Sequence, residues 1–179
     1  MDGIIFAQLK KFVDTLGSSA WANLLKQSGL QSRVYISTQE YPDQEAVLLV
    51  TNASKMTGKP APVLLESFGE FIVPGLVSMY QSLIKPQWKT LDLIQHSEEA
   101  IHRMVRLKNP TAHPPTLKCS RPSPDEVIVE YNSPRKTCAV AKGISKGIAK
   151  HYNEKVIVSE SSCMHNGKPS CLLSVKVIH

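Results

Sequence analysis

Aromatic side chains are scarce: four Phe, two Trp and five Tyr make up 6% of the 179 residues. That is too few to read as a stacking platform for nucleic acid, and no recognition helix stands out either. A dominant charge is also missing. Twenty-one Lys and Arg against fifteen Asp and Glu leave +6, a moderate excess that favours an anionic ligand or an acidic partner surface without requiring one. Nucleic acid is therefore not expected as a partner. No run of about eighteen apolar residues occurs, so no segment is expected to span a membrane. The opening MDGIIFAQLKKF puts its lysines after a short apolar patch and lacks a long apolar region with a small-residue cleavage site, so no signal peptide is expected. Asp2 excludes the usual myristoylation start. These absences predict a soluble, cytoplasmic protein. Internal repeats and low-complexity tracts are absent, and none of the six histidines falls in an HExxH or equivalent spacing. With no nucleophile beside a base and no paired carboxylates in view, the chain is not expected to be an enzyme.

What is present reads as an ordinary folded chain. A hydrophobic share of 42% with 20% charged residues is globular in composition, and a chain of this length buries about 70% of its unfolded surface. Its length predicts one compact unit over residues 1–179. Ile5, Leu9, Phe12, Val13 and Leu16 recur at three-and-four spacing, so the first element is an amphipathic helix ended by Gly17. Ser18 or Ser19 can cap a second helix carrying Trp21, Leu24 and Leu25 before Gly29. Asp43 can cap a third, through Ala46, Val47, Leu49 and Val50 toward Gly58. The apolar stretch 63–84 is expected to form two core helices, broken or kinked at Pro74 and Gly75. Beyond Pro86, Leu91, Ile94, Ile101 and Val105 mark another helical stripe, with Ser97 as an internal restart followed by Glu98 and Glu99.

After Leu107 the texture changes. Pro110, Pro114, Pro115, Pro122 and Pro124 punctuate a loop that carries a short extended segment at 116–120. Residues 127–131 read as a strand. A helix follows, with Val140, Ile144 and Ile148 on one stripe and Lys142, Lys146 and Lys150 opposite, a solvated back. Segments 156–158 and 172–178 close the sheet through the Asn166-Gly167 turn. The predicted class is α+β: a mainly helical amino-terminal part of about 1–60, then about 61–179 with a small antiparallel sheet and an inserted helix.

Tyr131, Ser133 and Arg135 alternate, and side chains along an extended segment share a face every second residue. Two hydroxyls and a planar guanidinium converging on one ligand suit carboxylates, with Arg making the bidentate contact. A wet strand edge is the plainer alternative. Pro134 sets the strand's end there, so the triplet lies at a strand-to-helix junction. His102, beside Ile101 and Val105, emerges close to the apolar stripe. A metal-ligand role and an ordinary hydrogen-bonded boundary histidine are both open.

Taken in order, IHRMV, PTAHPPTLKC, EVIVEYNSPRK and VAKGISKGIAKHY, preceded by MDGIIFAQLKKFV, resemble the H-NOX (haem-nitric oxide/oxygen binding) family over nearly the whole chain. These are haem sensor domains related to soluble guanylate cyclase, and the likeness is to the stand-alone bacterial type. The resemblance implies haem b, iron protoporphyrin IX, buried between the helical and sheet parts. Its propionates would rest on Tyr131, Ser133 and Arg135, and its iron on His102 as the proximal ligand. Pro115 and Ile5 match residues that pack on the porphyrin from opposite sides, Pro115 keeping it non-planar, and Leu117, Val140 and Ile144 join the expected contacts. Such a site buries a flat apolar macrocycle and anchors it with one imidazole and fixed donors.

Oxygen-binding members carry a distal tyrosine on the helix after the Tyr-x-Ser-x-Arg motif, and the matching position here is Val140. With Ile5, Leu9, Ile72, Leu76 and Ile144 as further neighbours, no distal donor is in view. Nitric oxide is the expected ligand, carbon monoxide a weaker one, and oxygen is not expected to bind. Rupture of the bond to His102 would then release its helix, flatten the porphyrin against Pro115 and shift the amino-terminal helices. The resemblance implies a separate signalling protein as readout, a histidine kinase or a cyclic-di-GMP enzyme.

Four cysteines in a cytosolic chain are expected as free thiols or metal ligands. Cys138, Cys163 and Cys171 come from elements that should pack together, and a tetrahedral zinc site would need one more ligand, His165 or Glu160. A subset of the family has such a site, with a histidine where Glu160 stands. The thiols are otherwise redox-active or simply small buried hydrophobes. A zinc or thiol redox-sensing module is thus the alternative function, and Cys119 is expected to be structural.

Overall fold

Helix formation starts at once. Asp2 accepts the Ile4 N–H at 3.2 Å and caps α1, Gly3–Asp14, satisfying one of the donors that a helix start leaves open. The computed structural model describes residues 1–110 and 112–179, in two compact units, Met1–Phe68 and Gly69–His179. Thr111, within the PTAHPPTLKC stretch, lies outside the described residues.

The first unit holds α1, α2 (Ala20–Gln27), α3 (Asp43–Thr57) and the first residues of α4 (Ala61–Tyr80). Asp43 is the first helical residue of α3 and Pro42 takes the cap position, while Gly58 ends the helix at φ 68°, a conformation glycine enters without a Cβ penalty. Phe6 and Val13 from the apolar stripe of α1 meet Leu24, Leu25, Tyr41 and Leu49 in one core. Phe6 stacks on Tyr35 with ring centroids 4.2 Å apart. Beside them the buried Glu45 accepts from Arg33 Nε at 3.0 Å and Tyr35 Oη at 2.7 Å, with Arg33 Nη2 on its other oxygen. A carboxylate can be buried only when paired in this way.

The expected break in the apolar stretch does not occur: α4 runs unbroken through Pro74. A proline already has a helical φ, so its cost is the bond it cannot donate and the crowding of its ring. The flanking Ile72 and Val73 are buried, and Pro74 itself is exposed, so packing on the other side carries the helix past the gap. With a 3₁₀ extension, Ala61–Leu83 is long and apolar enough to cross a bilayer by length and composition. Glu66 and Glu70 lie within it, and Phe68, Ile72 and Val73 are buried, although only 28% of its apolar stretch is.

In the second unit, α5 (Thr90–Ser97), a π-helical turn (Glu98–His102) and α6 (Arg103–Lys108) follow one another without interruption. The restart expected at Ser97 is this π turn, beginning at the next residue. Strands β1 (Thr116–Ser123) and β2 (Glu126–Asn132) come next, then α7 (Cys138–His151), β3 (Lys155–Ser162) and β4 (Cys171–Ile178). The sheet is antiparallel throughout, in the order β1-β2-β4-β3. Its class is α+β.

The period of two along β2 buries Val127, Val129 and Tyr131, and their partners in β4 are Val175, Leu173 and Cys171. Val127, Val129, Leu173 and Val175 form the sheet's contribution to a core shared with Leu91, Leu93 and Ile94 of α5 and Ile148 of α7, while Tyr131 and Cys171 pack with Cys138 and Met164. Of the lysine row on α7, Lys142 pairs with Glu160 at 2.6 Å and Lys150 with Glu70 at 3.3 Å, so this helix back is ion-paired rather than simply wet.

Candidate functional site

The stretch carrying His102 is where helix geometry changes. Arg103 N–H bonds to the Glu98 carbonyl, five residues back instead of four. Such π turns insert one residue, re-aim the side chains around them and recur at functional sites. Here the turn leaves His102 Nδ1 3.2 Å from Glu98 Oε2. The same oxygen accepts the Leu117 backbone N–H at 3.0 Å, and Arg106 Nη2 donates to Oε1. Burial pushes the Glu98 carboxyl up, but the Leu117 amide, Arg106 and His102 outweigh it and hold it below the ordinary range. Glu98 is therefore an ionised acceptor. The His102 side chain is 19% exposed, and burial lowers its pKa against the upward pull of Glu98. A neutral imidazole facing a carboxylate at Nδ1 carries its proton there and keeps the lone pair on Nε2.

Tyr131 and Ser133 are 2% and 3% exposed. Tyr131 Oη shares a hydrogen bond with Thr137 Oγ1 at 2.8 Å, and Ser133 Oγ accepts the Arg135 N–H at 3.3 Å. Burial raises the Tyr131 phenol, with Thr137 and Ser133 drawing it back. Arg135 Nη1 donates to the His113 carbonyl at 2.7 Å. The strand-to-helix junction expected at Pro134 is present, between the end of β2 and the start of α7.

One short segment, 113–117, gathers these groups. His113 receives Arg135, the Pro115 carbonyl accepts from the His102 ring, and Leu117 N–H fixes Glu98. Leu117 is also the register partner of Tyr131 across β1 and β2. The imidazole and the hydroxyl-guanidinium triplet are thus tied to the same few residues of backbone. The half-buried Pro115 and Leu117 lie between them in sequence. Val140 and Ile144 are half-buried on α7, where the Val140 carbonyl and Ile144 amide back onto Gly69 of α4; Ile72 of α4 is buried and Leu76 half-buried. Ile5 is half-buried on α1 of the first unit. An imidazole, two hydroxyls, a guanidinium and apolar neighbours are side chains whose chemistry suits haem, a nitrogen for iron and donors for two carboxylates.

A second cluster adjoins the triplet. Cys138 Sγ and Cys171 Sγ lie 3.9 and 3.8 Å from Cys163 Sγ, and with Glu160 their ligand atoms are all within 4.8 Å of one another. His165, the other expected fourth ligand, is not in this group; its Nε2 meets the Lys136 carbonyl at 2.8 Å. Glu160 Oε2 takes Lys142, which leaves Oε1 buried without a full hydrogen bond among the described residues, facing the weak thiol donors of Cys163 and Cys171. Burial, then the neighbouring Cys171, raises the Cys138 thiol, and burial raises Cys171 against the Met164 amide and Cys138. Cys119 stands apart, its thiol raised by burial to about 11. Sequence reading missed Glu98 as a site residue, treating it as a helix-start charge. Its signal was the four-residue spacing to His102, which places two helical side chains together.

A family model described as haem-NO-binding matches residues 2–160. Among solved structures, the chain is 27% identical to an H-NOX protein from S. oneidensis crystallised in the Fe(II)NO state, with a TM-score of 0.92 and 100% of both chains covered. The S. oneidensis H-NOX domain determined by NMR in the Fe(II)CO state is 27% identical, at a TM-score of 0.88 over 100% of this chain and 99% of that one. The unliganded Fe(II) H-NOX protein from K. algicida is 23% identical, at 0.89 over 100% and 97%, and attests the fold. No curated protein matches the chain.

Proposed function

The chain belongs to the haem-NO-binding (H-NOX) family, whose domains bind haem and sense gases rather than catalyse reactions, and from that premise we propose that it is a nitric oxide sensor acting through His102. Haem, when bound, supplies the ferrous iron at which a diatomic gas is held. His102 offers Nε2 to that iron; Tyr131, Ser133 and Arg135 receive the two propionates. Pro115, Leu117, Val140 and Ile144 of the second unit are the apolar contacts of the macrocycle. Nitric oxide is favoured because Val140, Ile144, Ile72 and Leu76 offer no hydrogen-bond donor to a polar iron-oxygen unit. Carbon monoxide binds more weakly, and oxygen does not bind. His102 is the switchable tether: while it holds iron, the turn 98–102 is fixed, and its release frees that helix to signal to a separate protein, a histidine kinase or a cyclic-di-GMP enzyme of the cytoplasm.

The observation that carries this reading is the convergence of His102, Glu98, Tyr131 and Arg135 on the single segment 113–117. Absorption spectra of the purified, reduced protein under argon, air and nitric oxide test it. Haem that is unchanged by air and altered by nitric oxide is expected, and a protein that takes up no haem on reconstitution would overturn the reading. A second reading has its own observation, three thiols and the half-partnered Glu160 within 4.8 Å. We propose that this cluster takes zinc, with Glu160 as the fourth ligand.

A further inference from the structure

Outside the donor set assigned to haem, one half-buried charged group acts on it. Glu98 is not one of those donors, yet each of its hydrogen bonds runs to something that fixes it in place or to His102 itself. Oε2 is shared by Leu117 N–H at 3.0 Å and His102 Nδ1 at 3.2 Å, and Oε1 is taken by Arg106. The π turn produces this convergence, since Glu98 opens it and His102 closes it. Glu99, Arg103 and Arg106 are the other charged groups of 98–106, and of these only Arg106 bonds to Glu98 among the described residues.

We propose that Glu98 is the positioning residue of the proximal histidine: its carboxylate, clamped by Leu117 and Arg106, holds the imidazole as the Nδ1–H tautomer, lends it imidazolate character and so sets how firmly His102 grips iron. The inference rests on the reading of His102 as the iron ligand. A carboxylate behind a ligating histidine fixes the ring and raises ligand basicity, and removing such a partner weakens metal binding about 10- to 100-fold. Arg106 acts in the opposite sense. By drawing charge from the far oxygen it would limit how much Glu98 donates to the imidazole, so the pair works as a setting between a firm bond and one that breaks readily.

That opposition supplies the test. In ferrous, unliganded holoprotein, resonance Raman spectroscopy reads the iron–histidine stretch directly. Glu98→Gln is expected to lower its frequency and to speed rupture of the bond after mixing with nitric oxide by about tenfold, whereas Arg106→Gln is expected to raise the frequency. A merely structural role would loosen the turn in both variants and shift them the same way. An unchanged frequency in Glu98→Gln, or shifts of the same sign in the two variants, overturns the proposal. Should Glu98→Gln fail to retain haem, Arg106→Gln decides alone: a raised frequency supports the proposal and any other result overturns it. His102→Gly separates the two levels, because a stretch that survives in it defeats the assignment of His102 itself, while its loss beside an unmoved Glu98→Gln defeats only the role of Glu98.

Discussion

Cys171 has no exposed surface and Cys138 is 4% exposed, and burial has opposite consequences for a thiol with and without a cation. Without one, both thiols stay protonated and inert. Zinc replaces those protons, and the charge of three thiolates and one carboxylate, otherwise prohibitive in this interior, becomes the reason it binds. Protein expressed with zinc present is therefore expected to carry one zinc per chain by elemental analysis and to lose it in Cys171→Ser, whereas a metal-free wild-type protein would leave the thiols as buried hydrophobes. Tyr131, Ser133 and Arg135 can be picked out as a candidate set because alternation along an extended chain depends on nothing beyond it. Which of Glu160 and His165 joins the cysteines was not legible, because the choice depends on the β3–β4 pairing and on the bond that Lys136 offers His165.

Elements explain the other misses. The helices expected from apolar spacing are present except that the two expected over 63–84 are one, and two local geometries escaped that reasoning, the continuity of α4 through Pro74 and the π turn at 98–102. Both are set by what packs on the helix rather than by its own propensities. The approach of α4 to α7 is the clearest case. A Cβ added at Gly69 would stand 2.3 Å from the Val140 carbonyl and 3.0 Å from the Ile144 amide, both backbone atoms that cannot swing aside. Helix propensity alone predicts that Gly69→Ala stabilises by up to about 1 kcal/mol, while overpacking costs about 1–3 kcal/mol. The clash is with backbone, so the upper end applies, and urea denaturation of Gly69→Ala is expected to show a net loss of about 2 kcal/mol. Because the same backbone carries Val140 and Ile144, a variant that moves α7 is also expected to disturb the apolar side of the proposed haem site.

For the molecule as a whole, the buried ionisable groups bound the pH range in which the fold holds. Each unit contains a carboxylate held below its ordinary value. In the first unit Arg33 lowers Glu45 against its burial, and in the second burial raises Asp92 but Lys89 N–H and Arg121 more than reverse it. Below the ordinary values of 4.5 and 3.8 the unfolded chain binds protons that the native carboxylates refuse, so stability is present above that range and lost as pH falls through it. The alkaline limits differ between the units. In the second, Cys119 is raised from 9.0 to about 11 by burial and by Glu98; the unfolded thiol ionises first, and stability falls from pH 9 upward. In the first, burial and Glu45 raise the Tyr35 phenol above its ordinary 10.0, so the fall there starts about one unit later. The two tryptophans divide between the units, Trp21 in the first and Trp88 in the second. Labelling with 5-fluorotryptophan therefore gives each unit its own fluorine resonance, and urea titrations followed at both across the pH range read the limits separately. Both resonances are expected to lose stability in acid, with the alkaline loss at Trp88 preceding that at Trp21. Stability at Trp88 that rose above pH 9 would mean that the second unit does not bury its thiols in the protonated form.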